Sequence, residues 1–109
     1  MKYLLLVYID HDLLAALPAG EFDAMMRGCL ARADELERQG VLLDYQMLED
    51  AHTARTVRVR DGRTKATDGP FAEAKEVLGG FNLIEADSLE EAERIAAGFP
   101  WTRTGSIEV

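Results

Sequence analysis

Residues 3–9 read Tyr-Leu-Leu-Leu-Val-Tyr-Ile, an unbroken run of apolar and aromatic side chains. Strands that are buried on both faces show such runs, whereas strands with one wet face alternate between apolar and polar residues. We therefore expect this segment to be a central strand of a sheet. Asp10 ends the run, which is too short for a membrane span and lacks the cleavage region of a signal peptide.

The residues that follow predict a helix and a second strand. Apolar side chains recur at helical spacing from Phe22 to Leu36, with charged residues between them, and Gly40 is placed to end that helix. Residues 41–48 then alternate, which predicts a strand with Val41, Leu43, Tyr45 and Met47 on one face.

The C-terminal part repeats this order. Residues 81–86 predict a strand, and Ser88 with Glu91 forms a capping box that starts a helix ended by Gly98 and Pro100. A last short strand is predicted over residues 106–109.

An inserted hairpin separates the two halves. Residues 54–60 and 63–67 flank Asp61-Gly62, a dipeptide suited to a two-residue type I′ turn. A short helix over residues 72–78 is predicted next, with Pro70 near its start and Gly79-Gly80 breaking it.

Without this insertion the element order is β-α-β-β-α-β. That order predicts a single α+β domain over residues 1–109, a ferredoxin-like sandwich with an inserted β-hairpin and both helices on one face of an antiparallel sheet. The other sheet face has no helix to cover it, and 48% of the residues are hydrophobic. We therefore expect a homodimer packed sheet against sheet.

The charge is strongly acidic and unevenly distributed. The formal net charge is −8, which argues against direct binding to nucleic acid or to an anionic membrane. Residues 55–65 carry five basic residues and one acid, a net charge of +4, so the remainder carries −12. Cys29 is the only cysteine, which excludes an intrachain disulfide and favours a buried thiol and a cytoplasmic location.

The predicted hairpin register places most of the basic residues of this window on one face of the hairpin. A two-residue turn at Asp61-Gly62 pairs Arg60 with Arg63 and Arg58 with Lys65 on one side, and the other side carries Val57 and Val59. Like charges opposite one another are unfavourable, so this face invites an anion. Three sources of compensation for these positive charges are possible. They are solvent or the chain's own acidic residues, an anionic small molecule, and the acidic surface of a partner protein.

Catalytic signatures are few. There is no phosphate-binding glycine loop, zinc-ligand spacing or nucleophile elbow, so no metal and no cofactor are predicted. His52, just before the hairpin, is either a solvated loop residue or a candidate catalytic base. Asp68 in Asp68-Gly69-Pro70-Phe71 is either a turn and capping residue or a general base at the rim of a cleft.

Several segments resemble the DGPF-type branch of the YCII-related domain family: residues 2–8, 57–63, 68–73, 75–76, 78–81, 84–92 and 105–109. The resemblance implies a ferredoxin-like domain that dimerises into an α/β barrel-type assembly with a cleft. In the YCII branch of the family, a histidine on the first helix and a downstream aspartate form a proposed active pair. Residues 21–39 contain no histidine, so that half of the pair is not carried over to this chain. DGPF-type proteins are often associated with extracytoplasmic-function sigma factors, which implies a regulatory partner.

Two function hypotheses follow. The first is a homodimeric small-molecule-binding protein, or an enzyme that acts by acid/base chemistry on a small anionic compound. Asp68 would be its base, Arg58 or Arg60 would hold the anionic group, and Gly69, Pro70 and Phe71 would line the site. The alternative is a non-enzymatic regulatory or interaction module whose basic hairpin face docks an acidic protein partner.

Overall fold

The run at residues 3–9 forms the middle of strand β1 (Lys2–Asp10) in a computed structural model that describes residues 1–109. The other strands are β2 (Leu42–Met47), β3 (Arg55–Arg60), β4 (Arg63–Asp68), β5 (Glu76–Glu85) and β6 (Gly105–Glu108). The α-helices are α1 (His11–Ala15), α2 (Glu21–Arg38) and α3 (Leu89–Ala97), and short 3₁₀ turns cover Ala51–Thr53 and Pro100–Arg103. None of the helices has the length and apolar composition needed to cross a membrane.

Four strands form one antiparallel sheet in the order β2-β5-β1-β6. The predicted central position of β1 is confirmed, since it pairs with β5 on one side and β6 on the other. Together with α2 and α3, this sheet makes a mixed α+β architecture compatible with the predicted ferredoxin-like fold.

The core lies between the sheet and the helices. Leu5 of β1 and Ile84 of β5 are fully buried there. Cys29 of α2 is buried in the same cluster, which confirms the predicted buried thiol. The remaining members are Ala33, Leu36, Leu42, Ala86, Ala92, Ile95, Ala96 and Phe99.

The predicted helix ends are also confirmed. Gly40 follows α2 with a φ of 75°, the left-handed conformation that stops a helix. At the start of α3, Ser88 Oγ accepts a hydrogen bond from Glu91 N–H at 3.1 Å. The Glu91 carboxylate accepts one from Asp87 N–H at 2.7 Å, so both halves of a capping arrangement are present.

The helix predicted over residues 72–78 is wrong, because β5 begins at Glu76 and continues through Gly79-Gly80. A helix of two turns has little stability of its own, whereas β5 gains ladder hydrogen bonds from strands on both sides. Gly79 is the extra residue of a β-bulge, since Val7 pairs with Gly80 and Tyr8 with Leu78. The two glycines therefore bend a strand and do not end a helix.

A second bulge corrects the predicted face of β2. Leu42 pairs with Ile84 and Asp44 with Leu83, which leaves Leu43 as the extra residue. The bulge interrupts the alternation, so that Leu42 is buried and Leu43 is exposed. The prediction that Leu43 shares the face of Tyr45 and Met47 is therefore wrong, whereas Val41, just before β2, packs against the core.

The inserted hairpin, β3 and β4, forms a separate two-stranded sheet, which we call the arm (residues 55–68). Its predicted register is confirmed: Arg58 pairs with Lys65, and Arg60 pairs with Arg63. Asp61 and Gly62 both have positive φ, 53° and 73°, as a type I′ turn requires. The arm shares no backbone ladder with the main sheet.

The face of the main sheet opposite the helices is uncovered within the chain. Cross-strand pairs on the two central strands, Leu4 with Leu83 and Leu6 with Phe81, make this open sheet face apolar. Leu4 is exposed and the other three side chains are only partly buried. The prediction that no helix covers this face is confirmed.

Candidate functional site

The arm carries the predicted site residues on two different faces. Side chains alternate along a strand, so Arg58 and Arg60 share one face, and Arg55 lies on the other with its cross-strand partner Asp68. The candidate base is therefore separated by the arm from the two arginines proposed to hold its substrate. Within one chain these three side chains do not converge on a common ligand.

Asp68 is almost wholly in solvent. Its side chain is 93% exposed, and its Oδ1 lies 3.5 Å from Arg55 Nε. No backbone N–H group donates to it, and no helix follows for it to cap, so the predicted capping role is wrong. A carboxylate in this setting has neither a cavity nor a desolvated partner beside it.

Gly69 closes the base of the arm. Its φ of 95° favours glycine, its N–H donates to Ala54 O at 2.8 Å, and its carbonyl accepts from Thr56 Oγ1 at 3.0 Å. Pro70 follows it and is exposed. These two residues shape the turn that leads the chain back toward the main sheet.

Phe71 returns to the basic face of the arm. The guanidinium carbon of Arg58 lies 5.7 Å from the centre of the Phe71 ring, a cation–π contact, and the ring is 80% exposed. Such exposed contacts contribute about 0.5–1 kcal/mol. Arg58 and Phe71 are thus the two predicted site residues that the structure does bring together.

His52 lies in the 3₁₀ turn before the arm, where its side chain is exposed. Its Nδ1 is 2.8 Å from Asp50 Oδ1, which also accepts a hydrogen bond from His52 N–H at 3.2 Å. The side-chain hydrogen bond, followed by the backbone one, lowers the pKa of Asp50. This local pairing orients His52 within its own turn.

A more enclosed space than the surroundings of Asp68 lies between the sheet and the helix layer. It is a cavity of about 590 Å³, walled mostly by apolar residues of β1, α1, α2, β2 and β5 and by two aromatic residues near the C-terminus. Phe22 and Trp101 are in contact there, with ring centres 6.2 Å apart. We call this space the apolar cavity.

Asn82 is the distinctive polar group of the apolar cavity. It pairs across the sheet with Leu5, so its side chain points to the helix side, and the residue is only 8% exposed. Its amide makes no hydrogen bond within the chain, and because it lines the cavity its atoms remain in contact with the open space there. An amide that faces a cavity without a partner in the chain is available to hydrogen-bond a ligand.

Gly79 and Gly80 allow close packing of neighbouring atoms beside the apolar cavity. A Cβ at Gly80 would lie 2.7 Å from Gln46 O, and one at Gly79 would lie 3.1 Å from the Ile9 side chain. Both glycines line the cavity. Side chains at these positions would push neighbouring atoms apart or into the space.

A second concavity lies at one end of the open sheet face. This acidic groove, about 730 Å³ in volume, is lined by Tyr8, Asp10, Ala74, Lys75, Glu76, Ser106, Ile107 and Glu108. Tyr8 Oη donates to Glu108 Oε1 at 3.1 Å, and this bond raises the pKa of Tyr8. Ser106 Oγ lies 3.3 Å from Glu76 Oε2.

Asp10 forms the buried end of the acidic groove. Its Oδ1 caps α1 by accepting from Asp12 N–H and Leu13 N–H, at 3.0 and 3.2 Å. Its Oδ2 is 3.9 Å from Lys75 Nζ. No group of three or more histidine, cysteine, aspartate or glutamate side chains is arranged to hold a metal ion, in this groove or elsewhere.

The sequence interpretation missed both concavities. The signal for the apolar cavity is a single amide, Asn82, inside an otherwise apolar strand at a position that faces the helices. The signal for the groove is weaker, since Asp10, Glu76 and Glu108 are far apart in the chain and meet only through strand pairing.

Comparison with known proteins identifies similar sequences along the whole chain. The sequence profile of the YCII-related domain matches residues 1–109. An uncharacterised protein of Rhizobium meliloti (strain 1021) is 37% identical over 111 residues, which cover 100% of this chain and 90% of the relative.

Proposed function

This chain belongs to the YCII-related domain family, and we propose that it is a homodimeric small-molecule-binding protein whose ligand occupies the apolar cavity. Ligand sites in proteins are usually clefts of about 300–1,000 Å³ with mostly apolar walls and a few convergent polar groups. A space of about 590 Å³ with one buried amide fits that description.

The observation that carries this proposal is the unpartnered amide of Asn82. An amide offers one acceptor oxygen and two donor hydrogens, so it matches a ligand group such as a hydroxyl, amide or secondary amine. A neutral hydrogen bond from a ligand group to this amide would contribute about 0.5–1.5 kcal/mol net.

The walls indicate that the ligand is uncharged. No lysine, arginine, aspartate or glutamate lines the apolar cavity, and His11, which can carry a positive charge, is exposed. A charged group in such surroundings would lose its hydration without gaining a counter-charge. We therefore replace the anionic ligand expected at Arg58 and Arg60 with a neutral, largely apolar molecule that carries one hydrogen-bonding group.

One further feature supports the proposed homodimer, and another supports membership of the DGPF-type branch of the family. The open sheet face presents Leu4, Leu6, Phe81 and Leu83, and a second copy packed against it would remove them from water. Asp68-Gly69-Pro70-Phe71 supports a place in the DGPF-type branch of the family.

The proposal is tested by titrating the protein with N-phenyl-1-naphthylamine, a neutral fluorescent probe with a single N–H group. We expect saturable binding, weakened roughly two- to tenfold by Asn82→Leu, because one neutral hydrogen bond contributes about 0.5–1.5 kcal/mol. Ala15→Trp, which places a large ring at an exposed cavity-lining position, is expected to weaken binding more.

Gln39→Leu serves as the matched control, since it removes an exposed amide that bonds only to Glu35. If Asn82→Leu and Ala15→Trp bind the probe as the wild type does, while their melting temperatures show that they are folded, the apolar cavity is not the site.

A second candidate function, an interaction module for an acidic protein, is supported by the basic face of the arm. Arg58, Arg60, Arg63 and Lys65 have no carboxylate within 4 Å. It predicts a partner, identified by mass spectrometry, whose binding is lost at high salt and on Arg58→Glu/Arg63→Glu. Unchanged partner binding by that double variant would exclude it.

A further inference from the structure

The arm is a free-standing element with unmet charge. All its side-chain hydrogen bonds and its only ion pair, Arg55 with Asp68, lie within residues 55–69. Its opposite face exposes Val57 and Val59. An isolated two-stranded hairpin is marginal in water, so an arm of this kind gains from a surface to lie on.

The molecule exposes more surface than a globular chain of its size. Its accessible area is 7494 Å², whereas a compact monomer of this mass has roughly 6,000 Å². Its radius of gyration is 15.9 Å, against about 13 Å for a compact domain of this length. The excess area exceeds the roughly 800 Å² that each partner buries in a stable interface.

The acidic groove offers charge of the opposite sign. Glu76 and Glu108 accept hydrogen bonds from Ser106 and Tyr8, but neither has a basic side chain within 4 Å. Lys75, the only cation of the groove, pairs with Asp10. Two carboxylates therefore remain unneutralised beside the open sheet face.

We propose that the arm of one copy lies along a second copy of this chain, with its basic face in the acidic groove of that copy. This interface rests on the proposed homodimer and would extend it from the open sheet face to the arm. In a two-fold dimer the contact occurs twice, because each copy supplies one arm and one groove.

The arm does not neutralise itself within its own chain. Arg55 is its only cation with a carboxylate within 4 Å, and that carboxylate, Asp68, belongs to the arm. Strands of six residues, at about 3.3 Å per residue, carry the turn roughly 20 Å from the base of the arm. A second copy would supply carboxylates for the basic face of the arm through its acidic groove, and the contact would cover apolar surface on both copies.

The test is sedimentation of the purified full chain across a concentration series. The wild type is expected at twice 12.1 kDa. Arg58→Glu/Arg63→Glu and, separately, Glu76→Arg/Glu108→Arg are expected to raise the dimer dissociation constant at least about tenfold, since each places like charges together. Arg27→Glu/Arg94→Glu, on exposed helix positions, matches the first charge change and is expected to leave the dimer intact.

Mixing the two weakened variants distinguishes this contact from general charge effects. In a mixed dimer both arm–groove contacts again join opposite charges, so the mixture is expected to restore dimers. A monomeric wild type, a dimer unaffected by the arm variant, equal dissociation by the helix control or failure of the mixture to restore dimers would each overturn the inference. Probe binding by the monomeric arm variant is expected to persist, so failure here is distinguishable from failure of the apolar cavity.

Discussion

Asp68 and Arg58 lie on opposite faces of the arm. Asp68 pairs with Arg55 and shares its face, whereas Arg58 is three residues beyond Arg55 on β3 and therefore points to the other face. This relationship separates the carboxylate of the most specific motif in the chain from the cations predicted to act with it. Acid/base chemistry at Asp68 therefore stays a prediction, and the apolar cavity becomes the better-supported site.

Replacing Asp68 tests this separation. Asp68→Asn removes one exposed ion pair with Arg55, so the free energy of unfolding is expected to change by less than about 1 kcal/mol. The affinity for N-phenyl-1-naphthylamine is expected to be unchanged, and Arg55→Gln should behave alike. Loss of probe binding in a folded Asp68→Asn variant would contradict this separation and would indicate that the ligand site lies at the arm.

Gly80→Ala tests the close approach of β2 and β5. The new Cβ would lie 2.7 Å from Gln46 O, a backbone atom that cannot move alone. We expect the free energy of unfolding, from urea titration, to fall by about 1–3 kcal/mol. Gly79→Ala meets only the Ile9 side chain, which can shift, so a loss as large as that of Gly80→Ala would contradict this account.

The thiol of Cys29 reports on the apolar cavity, which it lines. Burial raises the pKa of Cys29, although a hydrogen bond with the Trp101 backbone partly offsets this. Since thiolate is the reactive form, Ellman's reagent at pH 8 is expected to react at least about tenfold more slowly with the native chain than with the urea-unfolded chain. Saturation with the neutral probe should slow the reaction further.

The raised pKa of Cys29 also makes the stability of the fold depend on pH. The folded state holds the Cys29 proton more tightly than the unfolded state. The resulting contribution to the free energy of unfolding is present below the ordinary thiol pKa and is lost as the pH rises past it. The urea midpoint is therefore expected to fall above about pH 8.5, and less so in Cys29→Ala. An equal fall in both proteins would show that the thiol is not the cause.

Ser88→Ala tests the start of α3. It removes the Oγ that accepts from Glu91 N–H, so we expect a loss of about 1 kcal/mol in the free energy of unfolding. Ser106→Ala, the same change at the only other serine, removes an exposed hydroxyl outside any helix cap. A loss at Ser106 equal to that at Ser88 would mean that the cap contributes nothing specific.

Much of the fold could be predicted because its signals are local. The apolar run at residues 3–9, the capping box at Ser88 and the Asp61-Gly62 turn each specify an element through neighbouring residues, and all three are confirmed. Gly79-Gly80 could not be interpreted in this way. Glycine breaks helices and also permits bulges, and only pairing with β1 and β2 decides between the two.

The site was less predictable for a related reason. A basic face and an aspartate motif are visible in the sequence, but whether they face each other depends on which strand positions pair. The apolar cavity depends on the packing of α1 and α2 over the sheet, and Asn82 gains its meaning only from its position opposite Leu5.

The central claim, a cavity for a neutral ligand, is tested most directly by comparing two probes of nearly the same shape. N-phenyl-1-naphthylamine is neutral, and 8-anilino-1-naphthalenesulfonate carries the same rings with one added sulfonate. The apolar cavity, which no lysine or arginine lines, predicts that wild-type protein binds the neutral probe at least about tenfold more tightly, because the sulfonate would be desolvated without a counter-charge. Equal or tighter binding of the sulfonate probe would contradict the account and would point to the cations of the arm.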